Sequence, residues 1–402
     1  MQPRKIINDP VYGFISVNNS LIMKIINHPY YQRLRRIKQM ALASFVYPGA
    51  VHTRLHHSLG AYHLMSIAVQ ELKLKDVEIS EEENIAVKAA ILLHDIGHGP
   101  YSHALENNVV KGIHHEELSI SIMELMNKEM NGALSLAIEI FRDNYSKPFL
   151  HQLISGQLDM DRLDYLSRDS FYTGVSEGVV GYDRILKMLA VKNNELMVEE
   201  KGVHSVEKFL IARRQMYWQV YLHKTVLGIE KMLVKILERA REIYSSKDKG
   251  IVVGSPLDYF LSEFDGEMND EALSLFCKLD DADVDFAIKK WTAHKDVVLS
   301  TLSTNLLNRN LFTCIVQKNT FSEALINKEK QRIKKETNVE EKDLHYFIFT
   351  GEASNTTYKP SDDRINILTK SGTIKDISKI ENPLIDRTLS YEIKKNYLCY
   401  LR

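Results

Sequence analysis

The sequence predicts a mainly α-helical protein that carries a small α+β appendage at its C-terminal end. Over 21–188 and 203–245, apolar residues recur at the three- and four-residue spacing of helices that bury one face. Near the C-terminus the pattern changes to short alternating segments such as YFIFTGEA and NYLCYLR, which are typical of strands. Hydrophobic residues make up 44% of the chain and charged residues 26%, as in ordinary globular proteins.

The chain divides into three predicted regions. The first, 1–245, is mostly helical and ends at SSKDKGIVVGSP, whose glycine, serine and proline content marks a junction. Within it, LAVKNNELMVEE alternates around Asn193 and Asn194 and predicts a β-hairpin. We interpret 246–335 as a helical subdomain and 336–402 as the small α+β region.

The charge and cysteine content excludes several protein classes. The formal net charge of −1 gives no global basic field that would indicate nucleic-acid or membrane binding. Four nearby cations form a local cluster that is a helix face, a subunit contact or a nucleotide site: Arg33, Arg35, Arg36 and Lys38. The three cysteines lie far apart without a CxxC pair, and no signal peptide or membrane span is visible. We therefore expect a cytoplasmic protein.

A His94-Asp95 pair ends an apolar, helix-like run and is the strongest chemical signal. Neighbouring helix positions point about 100° apart, so both side chains can border one groove and touch one ion there. Alone, such a pair is more often an ordinary hydrogen-bonded pair. The segment HDIGHGPYSH, however, places several ring and acid groups around Gly97, Gly99 and Pro100. Because each buried polar group needs a partner, functional use is the simpler interpretation.

Two further ligands are predicted on other helices. His57 lies in RLHHSLGAYHLM, a mostly buried helix, and Asp161 begins a polar stripe that continues at Tyr165 and Asp169. The predicted metal ligands are His57, His94, Asp95 and Asp161. Mixed nitrogen and oxygen ligation suits zinc, iron, manganese or nickel, and four protein ligands leave room for water and substrate.

Several longer motifs strengthen this interpretation. They are, in chain order, INDPVYGFISV, HPYYQRLRRIKQM, YPGAVHTRLHHSLG, LLHDIGHGPYSH, HHEE, LDMDRLDYLSRD and RRQMYWQVYLHK. In these motifs the chain resembles the HD-domain phosphohydrolases, and more narrowly the deoxynucleoside triphosphate triphosphohydrolases of the mammalian SAM- and HD-domain type. The likeness spans residues 5–240, without a SAM module before it. The resemblance implies an HD-domain helical bundle, a catalytic region at 1–245 and the same four metal ligands.

The resemblance also implies catalytic residues. His98, His103 and His115 match histidines that contact phosphate or transfer protons, a task suited to a group with a pKa of about 6.5. We expect His103 to protonate the leaving oxygen and His98 or His115 to contact phosphate. Glu106 stands where relatives carry Asp, and its longer side chain can still orient an imidazole. Without the family, His115 is equally well interpreted as a loop residue.

A second set of residues is implied to bind the substrate. Its members are Gln39, Arg54, Arg162, Tyr165, Asp169, Arg213, Tyr221 and Lys224. The cations among them suit a polyphosphate. Gln39 and Asp169 match residues that recognise deoxyribose, and packing by Tyr221 would exclude a 2′-hydroxyl. Arg213, Tyr217, Tyr221 and Lys224 form a strip that, alone, is more typical of a solvated helix face.

The implied reaction is metal-dependent hydrolysis of a deoxynucleoside triphosphate to deoxynucleoside and inorganic triphosphate. The cofactor would be a divalent transition metal, with Mg²⁺ as a companion on the substrate phosphates. One alternative is an HD phosphohydrolase acting on nucleoside monophosphates or other phosphate esters. Another is a noncatalytic nucleotide-binding regulator, against which the intact His98 and His103 argue.

Assembly and regulation are expectations from the same resemblance. Relatives form homo-oligomers, so we expect a dimer or a tetramer. In relatives activated by guanine nucleotides an Asp recognises guanine where this chain has Asn27, although Lys5, Gln32 and Arg35 keep matching residue types. An amide presents one donor and one acceptor group, so it cannot reproduce the paired acceptance of a carboxylate from guanine N1–H and N2–H. We therefore expect weaker or altered nucleotide activation.

Overall fold

The protein is mainly α-helical, as the sequence predicts, and in the part of the chain that the structure describes three small sheets accompany the helices. The computed structural model describes residues 4–106, 108–110, 112–246, 248–337, 339–355, 358, 364–380 and 392–402, without the side chain of His103.

The helices and strands follow in chain order. The helices are α1 (Ser20–Asn27), α2 (Pro29–Gln32), α3 (Arg54–Leu74), α4 (Glu81–Leu93), α5 (His115–Glu129), α6 (Ser135–Phe141), α7 (Pro148–Gln152), α8 (Met160–Thr173), α9 (Tyr182–Lys187), α10 (Val203–Met216), α11 (Lys224–Ser245), α12 (Pro256–Ser262), α13 (Asp270–Phe276), α14 (Asp281–Trp291), α15 (Val297–Leu307) and α16 (Glu323–Thr337). The strands are β1 (Lys5–Asp9), β2 (Gly13–Val17), β3 (Leu189–Lys192), β4 (Glu195–Glu199), β5 (Thr313–Gln317), β6 (Ile348–Asn355), β7 (Asn366–Leu368), β8 (Ile374–Asp376) and β9 (Ile393–Tyr400).

Helix α3 lies at the centre of the catalytic half and packs against both α4 and α8. Most of its apolar side chains are buried, and Leu64 and Met65 are fully so. At Gly60 the two helices α3 and α8 approach so closely that a Cβ atom would overlap Asp164 and Arg168. The missing side chain therefore lets the polar face of α8 lie directly against α3.

The predicted hairpin is confirmed. Strands β3 and β4 pair antiparallel, and the connecting Asn193 and Asn194 have φ angles of 56° and 61°. Asparagine tolerates this left-handed conformation, which a two-residue hairpin turn requires. Strand β4 then pairs in parallel with β7, which extends the hairpin into the sheet β3-β4-β7-β8.

The C-terminal strands are also confirmed, as the sheet β5-β9-β6 and the pair β7-β8. One part of the prediction is wrong, because β5 interrupts the stretch 256–333 that the sequence indicated to be helical. This short strand is stabilised by pairing with β9, which follows it by almost 80 residues, and local periodicity does not report such a distant partner. The three-region division stays a prediction, although two sheets join strands from different predicted regions.

Within the described ranges, no helix is both long enough and apolar enough to cross a membrane.

Candidate functional site

Three predicted metal ligands from three different elements converge at one point. His57 lies on α3, His94 follows the last residue of α4, and Asp161 lies on α8. One ligand atom from each lies within 4.8 Å of the others. His57 Nε2 is 3.0 Å from Asp161 Oδ1 and 3.3 Å from His94 Nε2. These distances are short enough for all three atoms to share one ion.

The fourth predicted ligand borders the same space. The Asp95 carboxylate lies 3.5 Å from His57 Nε2 and 3.4 Å from His94 Nε2. It also forms an ion pair with Arg54 Nη1, which lowers its pKa well below the usual range despite burial. Asp95 is thus an anion at the edge of the cluster.

Hydrogen bonds fix both imidazole rings so that Nε2 faces the cluster. His57 Nδ1 donates to Asp164 Oδ2 over 2.7 Å, and His94 Nδ1 donates to the Ile91 carbonyl over 2.6 Å. Such bonds to the second ring nitrogen are the usual way in which proteins orient histidine ligands. Both Nε2 lone pairs then point at the same place, where they repel each other unless a proton or a metal cation lies between them.

The charge of the cluster also fits a cation. Desolvation opposes protonation of His57, but its hydrogen bonds to Asp161 and Asp164 outweigh this and raise its pKa to about 10. The same histidines hold the pKa of Asp161 below its usual range. The buried site therefore attracts positive charge, and its nitrogen and oxygen donors fit a divalent transition metal.

Asp164 is a site residue that sequence reasoning missed. Its carboxylate is fully buried, orients His57 and accepts from Arg168 Nε over 3.0 Å. Arg168 Nη1 in turn donates to Asp9 on β1 over 2.8 Å. The signal was present in the sequence, because Asp164 follows the ligand Asp161 by three residues and so lies one turn further along the same helix face.

The turn after α4 is held against α5. Helix α4 ends at Leu93, so His98 does not continue the face of His94, as it would if the helix persisted. The amide of Gly97 donates to Ser119 Oγ over 2.9 Å, and Ser119 Oγ donates to the His94 carbonyl over 2.8 Å. A Cβ atom at Gly97 would overlap the backbone of α5. The HDIGHG segment thus forms a turn that only glycine permits at this position.

The predicted catalytic histidines meet beside this turn. His98 and His115 stack with ring centroids 4.0 Å apart and planes at 17°. His98 Nε2 lies 3.3 Å from Asp95 Oδ1, which ties the stack to the metal cluster. Glu106 Oε1 accepts from His115 Nδ1 over 2.7 Å, so this glutamate does orient an imidazole. His115 is the first residue of α5, and the side chain of His103 lies outside the described atoms.

A cavity of about 510 Å³ opens over these groups. Its walls include Asp95, His98, His115 and Asp161, while His57 and His94 lie beneath. Most of the residues implied to bind substrate also line it, namely Gln39, Arg54, Arg162, Tyr165, Asp169, Arg213 and Tyr221. A volume of this size suits a ligand of nucleotide dimensions.

Three guanidinium groups line the cavity, and their partners differ. Arg54 donates from Nε to Ser102 Oγ over 2.7 Å in addition to its ion pair with Asp95. Arg162 pairs with buried Asp159. Arg213 donates from Nη1 to Gln157 Oε1 over 3.0 Å, but its buried Nε has no hydrogen-bond partner among the described residues. The arginines thus present fixed positive charge to the cavity, with unsatisfied donor capacity at Arg213.

A π-helical turn places two tyrosines in the same wall. Residues Tyr217–Tyr221 form this turn between α10 and α11, where the sequence indicated plain helix. Tyr217 and Tyr221 both line the cavity, with ring centroids 5.2 Å apart in an edge-to-face arrangement. Such insertions in helices occur frequently at functional sites, because they redirect side chains without ending the helix.

Asp169 is held in place from two sides. His52 Nε2 donates to one of its oxygens and the Tyr221 hydroxyl to the other, each over 2.7 Å. On the neighbouring wall, Gln39 Oε1 is buried without a hydrogen-bond partner among the described residues. A fixed acid and an unsatisfied amide therefore face the same space.

Lys224 is not brought into this arrangement. It is the exposed first residue of α11 and is not one of the cavity-lining residues, so its role in substrate binding stays a prediction. Glu230, one and a half turns further along α11, does line the cavity, although it was not among the residues predicted from the sequence.

Comparisons with known proteins agree with the site. The family model of the HD domain matches residues 54–169, and that of the HD associated region matches 180–252. The chain is similar to uncharacterized protein YwfO of Bacillus subtilis, at 33% identity over 393 residues, which cover 94% of this chain and 88% of that protein. A crystal structure of a phosphohydrolase from Bacteroides thetaiotaomicron superposes with a TM-score of 0.95 at 50% identity, covering 100% of both chains.

Another similar protein has an enzymatic activity in its name. Over 264 residues the chain is 31% identical to the deoxynucleoside triphosphate triphosphohydrolase SAMHD1 homolog of Dictyostelium discoideum. The alignment covers 61% of this chain and 51% of that protein, so the chain spans about half the length of this relative.

Proposed function

The chain belongs to the HD-domain phosphohydrolases, and on that premise we propose that it hydrolyses deoxynucleoside triphosphates to deoxynucleosides and inorganic triphosphate. One observation carries the proposal: a single cavity of about 510 Å³ joins the His57-His94-Asp161 cluster to three arginines. Three fixed cations exceed what a monophosphate ester requires, whereas a triphosphate needs several. The named activity of the Dictyostelium relative supports the same substrate class.

The metal would be held by His57, His94, Asp95 and Asp161. When bound, a zinc, iron, manganese or nickel ion supplies Lewis-acid chemistry and concentrated positive charge at the phosphate undergoing attack. Asp164 and the Ile91 carbonyl keep the two imidazole rings in the orientation that this requires.

The cationic wall would bind and orient the polyphosphate. Arg54 and Arg162 are already fixed by carboxylates, so they lose little freedom when they contact phosphate oxygens. Arg213 contributes the unsatisfied Nε donor. Mg²⁺ on the substrate phosphates would reduce the remaining negative charge. The α-phosphate would then be held over the cluster end of the cavity.

Proton transfer is assigned to the histidines. Glu106 fixes the ring of His115 through a hydrogen bond to Nδ1. His115 stacks on His98, and His98 in turn contacts the carboxylate of Asp95. In the proposal His98 and His115 contact the phosphate, while His103 protonates the leaving oxygen of the deoxynucleoside.

Discrimination against ribose is assigned to the opposite wall. Asp169, held by His52 and Tyr221, would accept the one hydrogen bond that the sugar 3′-hydroxyl can donate, and the side-chain amide of Gln39 would contact the same hydroxyl. The Tyr221 ring would occupy the space that a 2′-hydroxyl needs. A buried hydroxyl without a partner costs about 1–3 kcal/mol, which is enough for strong selection.

The test is to identify the products. Protein loaded with a defined metal is incubated separately with the four deoxynucleoside triphosphates, the four ribonucleoside triphosphates and the deoxynucleoside monophosphates. Anion exchange then separates triphosphate from orthophosphate. Release of triphosphate from the deoxynucleotides alone supports the proposal. Release of orthophosphate from the monophosphates, without triphosphate from any substrate, supports the monophosphatase alternative and contradicts it.

Assembly into a homo-oligomer is part of the proposal. The hairpin β1-β2 exposes two large apolar side chains, Ile6 at 52% and Phe14 at 70%, which suits a surface that is covered by another subunit. Light scattering after gel filtration measures the mass directly. A mass of one chain at micromolar concentration would contradict this part.

Weaker guanine-nucleotide activation is a separate proposal. Asn27 is exposed at the end of α1 and presents an amide where activated relatives carry a carboxylate. We expect little change when GTP is titrated into a dATP hydrolysis assay. Strong activation at low micromolar GTP would show that the amide does not weaken regulation.

A further inference from the structure

One acidic residue of the cavity has no role in the chemistry described above. Glu230 lies on α11 one turn after Val226, and both side chains line the cavity. The cavity therefore contains a carboxyl group outside the metal cluster and its cationic wall, on a helix that contributes none of the predicted metal ligands.

This carboxyl group is unpartnered. It makes no hydrogen bond or ion pair with any residue that the structure describes, whereas Asp169 in the same cavity is held by two donors. The adjacent Lys231 makes no hydrogen bond to it and has its Nζ 5.9 Å from the centre of the Tyr397 ring, so its positive charge offsets the burial of Glu230 only in part. Desolvation raises the pKa of Glu230 to about 7. A carboxyl group in such surroundings gains free energy from any hydrogen-bond donor that enters the cavity.

The chemistry of a nucleotide limits what that donor is. Phosphate groups carry no donor at neutral pH and are repelled by a carboxylate, so they lie at the arginines. The sugar 3′-hydroxyl has one proton to donate and already has an acceptor for it in Asp169. What remains are the N–H groups of the base. Adenine, cytosine and guanine carry an exocyclic amino group, whereas the one N–H of the thymine base is its ring N3–H, which lies between two carbonyl oxygens that a carboxylate would repel.

We propose that Glu230 recognises the base and favours deoxynucleotides whose base carries an exocyclic amino group over thymidine nucleotides. This inference rests on the proposed function, because it assumes that the cavity takes a deoxynucleoside triphosphate. Loss of a buried donor-to-carboxylate hydrogen bond leaves a polar group unsatisfied, which gives selection of the order of 10-fold to 100-fold.

The experiment compares the four deoxynucleoside triphosphates on four proteins: the wild type, Glu230→Gln, Glu230→Leu and the control Glu238→Gln. Glu238 lies two turns further along the same helix and is partly exposed, so its substitution repeats the chemistry outside the cavity. Both kcat/KM and the equilibrium Kd are measured for each nucleotide on metal-loaded protein. Thermal melting verifies that every variant is folded.

We expect the wild type and Glu238→Gln to prefer the three amino-bearing nucleotides over dTTP by about 10-fold or more. In Glu230→Leu the three ratios to dTTP fall to within about 2-fold of unity, and in Glu230→Gln they shift among the bases. Equal loss for all four nucleotides in both variants would indicate a merely structural role and overturn the inference.

The two proposals fail in different ways. If the wild type binds the nucleotides with the expected base preference but releases no triphosphate, the proposed reaction fails and the role of Glu230 stands. If triphosphate is released from all four nucleotides with ratios that the Glu230 variants leave unchanged, the proposed reaction stands and base recognition by Glu230 is wrong.

Discussion

The two ends of helix α4 differ in how their buried charges are paired. At its N-terminal end, the carboxylate of Glu83 accepts from Lys147 Nζ over 2.9 Å and from the Tyr145 hydroxyl over 2.8 Å, so one anion meets one cation. At its C-terminal end, His94 and Asp95 enter a cluster in which anions exceed cations. The carboxylates of Glu83 and Asp95 are both buried, but only Glu83 belongs to a balanced pair.

The excess of negative charge in this cluster can be counted from its ion pairs. Around the cluster lie four carboxylates, on Asp9, Asp95, Asp161 and Asp164, and two guanidinium groups, on Arg54 and Arg168. Among the described residues the cluster therefore lacks two positive charges, and the raised pKa of His57 expresses that deficit. Burying a charge without a partner costs free energy. A buried cluster with excess negative charge therefore indicates a bound cation, whereas a buried pair of opposite charges indicates a structural role.

The largest predicted effect comes from removing one of the four carboxylates of the cluster. Asp161→Ala deletes a predicted ligand that contacts both histidines, and we expect loss of metal binding and a fall in turnover of at least about 10³-fold. Metal content by mass spectrometry and triphosphate release check both. Asp183→Ala, at an exposed position, serves as the matched control. A variant that retained its metal and full turnover would refute the assignment of ligands.

A smaller effect is expected at Asp164, which is one hydrogen bond removed from the predicted metal position. Asp164→Asn keeps the size of the side chain but weakens its hold on His57 Nδ1, so metal affinity should fall by about 10-fold to 100-fold. Metal titration of chelator-treated protein measures the dissociation constant, with Asp183→Asn as the control. An unchanged constant in a folded variant would mean that Asp164 serves only Arg168.

The cationic wall offers a third comparison. Arg213→Ala should raise KM for a deoxynucleoside triphosphate by about 10-fold, because a charge-assisted hydrogen bond to phosphate is lost. A small phosphodiester that lacks a polyphosphate should be affected much less. The neighbouring Arg214 is not one of the cavity-lining residues, so Arg214→Ala is the control. Equal effects on both substrates would place Arg213 outside polyphosphate binding.

The smallest effect is expected at the N-terminal end of α4, where Glu83 is paired with a cation. There the effect is on stability and depends on pH. Desolvation raises the pKa of Glu83, but its hydrogen bonds outweigh this, so the folded-state value lies below normal. Its contribution is therefore present above the unfolded-state pKa of about 4.3 and is lost as the pH falls through the folded-state value. Glu83→Gln should destabilise the protein by about 1–2 kcal/mol at pH 7.

The pH is then the control within that experiment. Urea unfolding of Glu83→Gln and wild type at pH 7 and at pH 3 should give a difference that shrinks at the lower pH. A difference that stays constant would mean that packing, and not the ion pair with Lys147, accounts for the effect.

Much of the site could be predicted because its residues lie on helices whose packing faces are visible in the sequence. The HD family, the helical fold, the β3-β4 hairpin and the C-terminal strands are confirmed. The grouping of His57, His94 and Asp161 follows from motifs that each carry both apolar and ligand positions. The assigned roles of the site residues stay predictions.

Other features depend on tertiary contacts that no local pattern records. Strand β5 exists because β9 pairs with it from the far end of the chain. The π-helical turn at Tyr217–Tyr221 and the cavity position of Glu230 depend on how α10 and α11 pack around the site. Asp164 was overlooked for another reason, since it hydrogen-bonds to a predicted ligand and is not itself in a ligand position.

The most direct test of the charge surplus is the stoichiometry of metal binding. Chelator-treated protein is dialysed against Mn²⁺, and the bound ion is measured per chain together with the shift in melting temperature. We expect one tightly bound ion per chain that raises the melting temperature, and no such ion in His57→Ala or Asp161→Ala. Equal binding by the wild type and both variants, or none in the wild type, would contradict it.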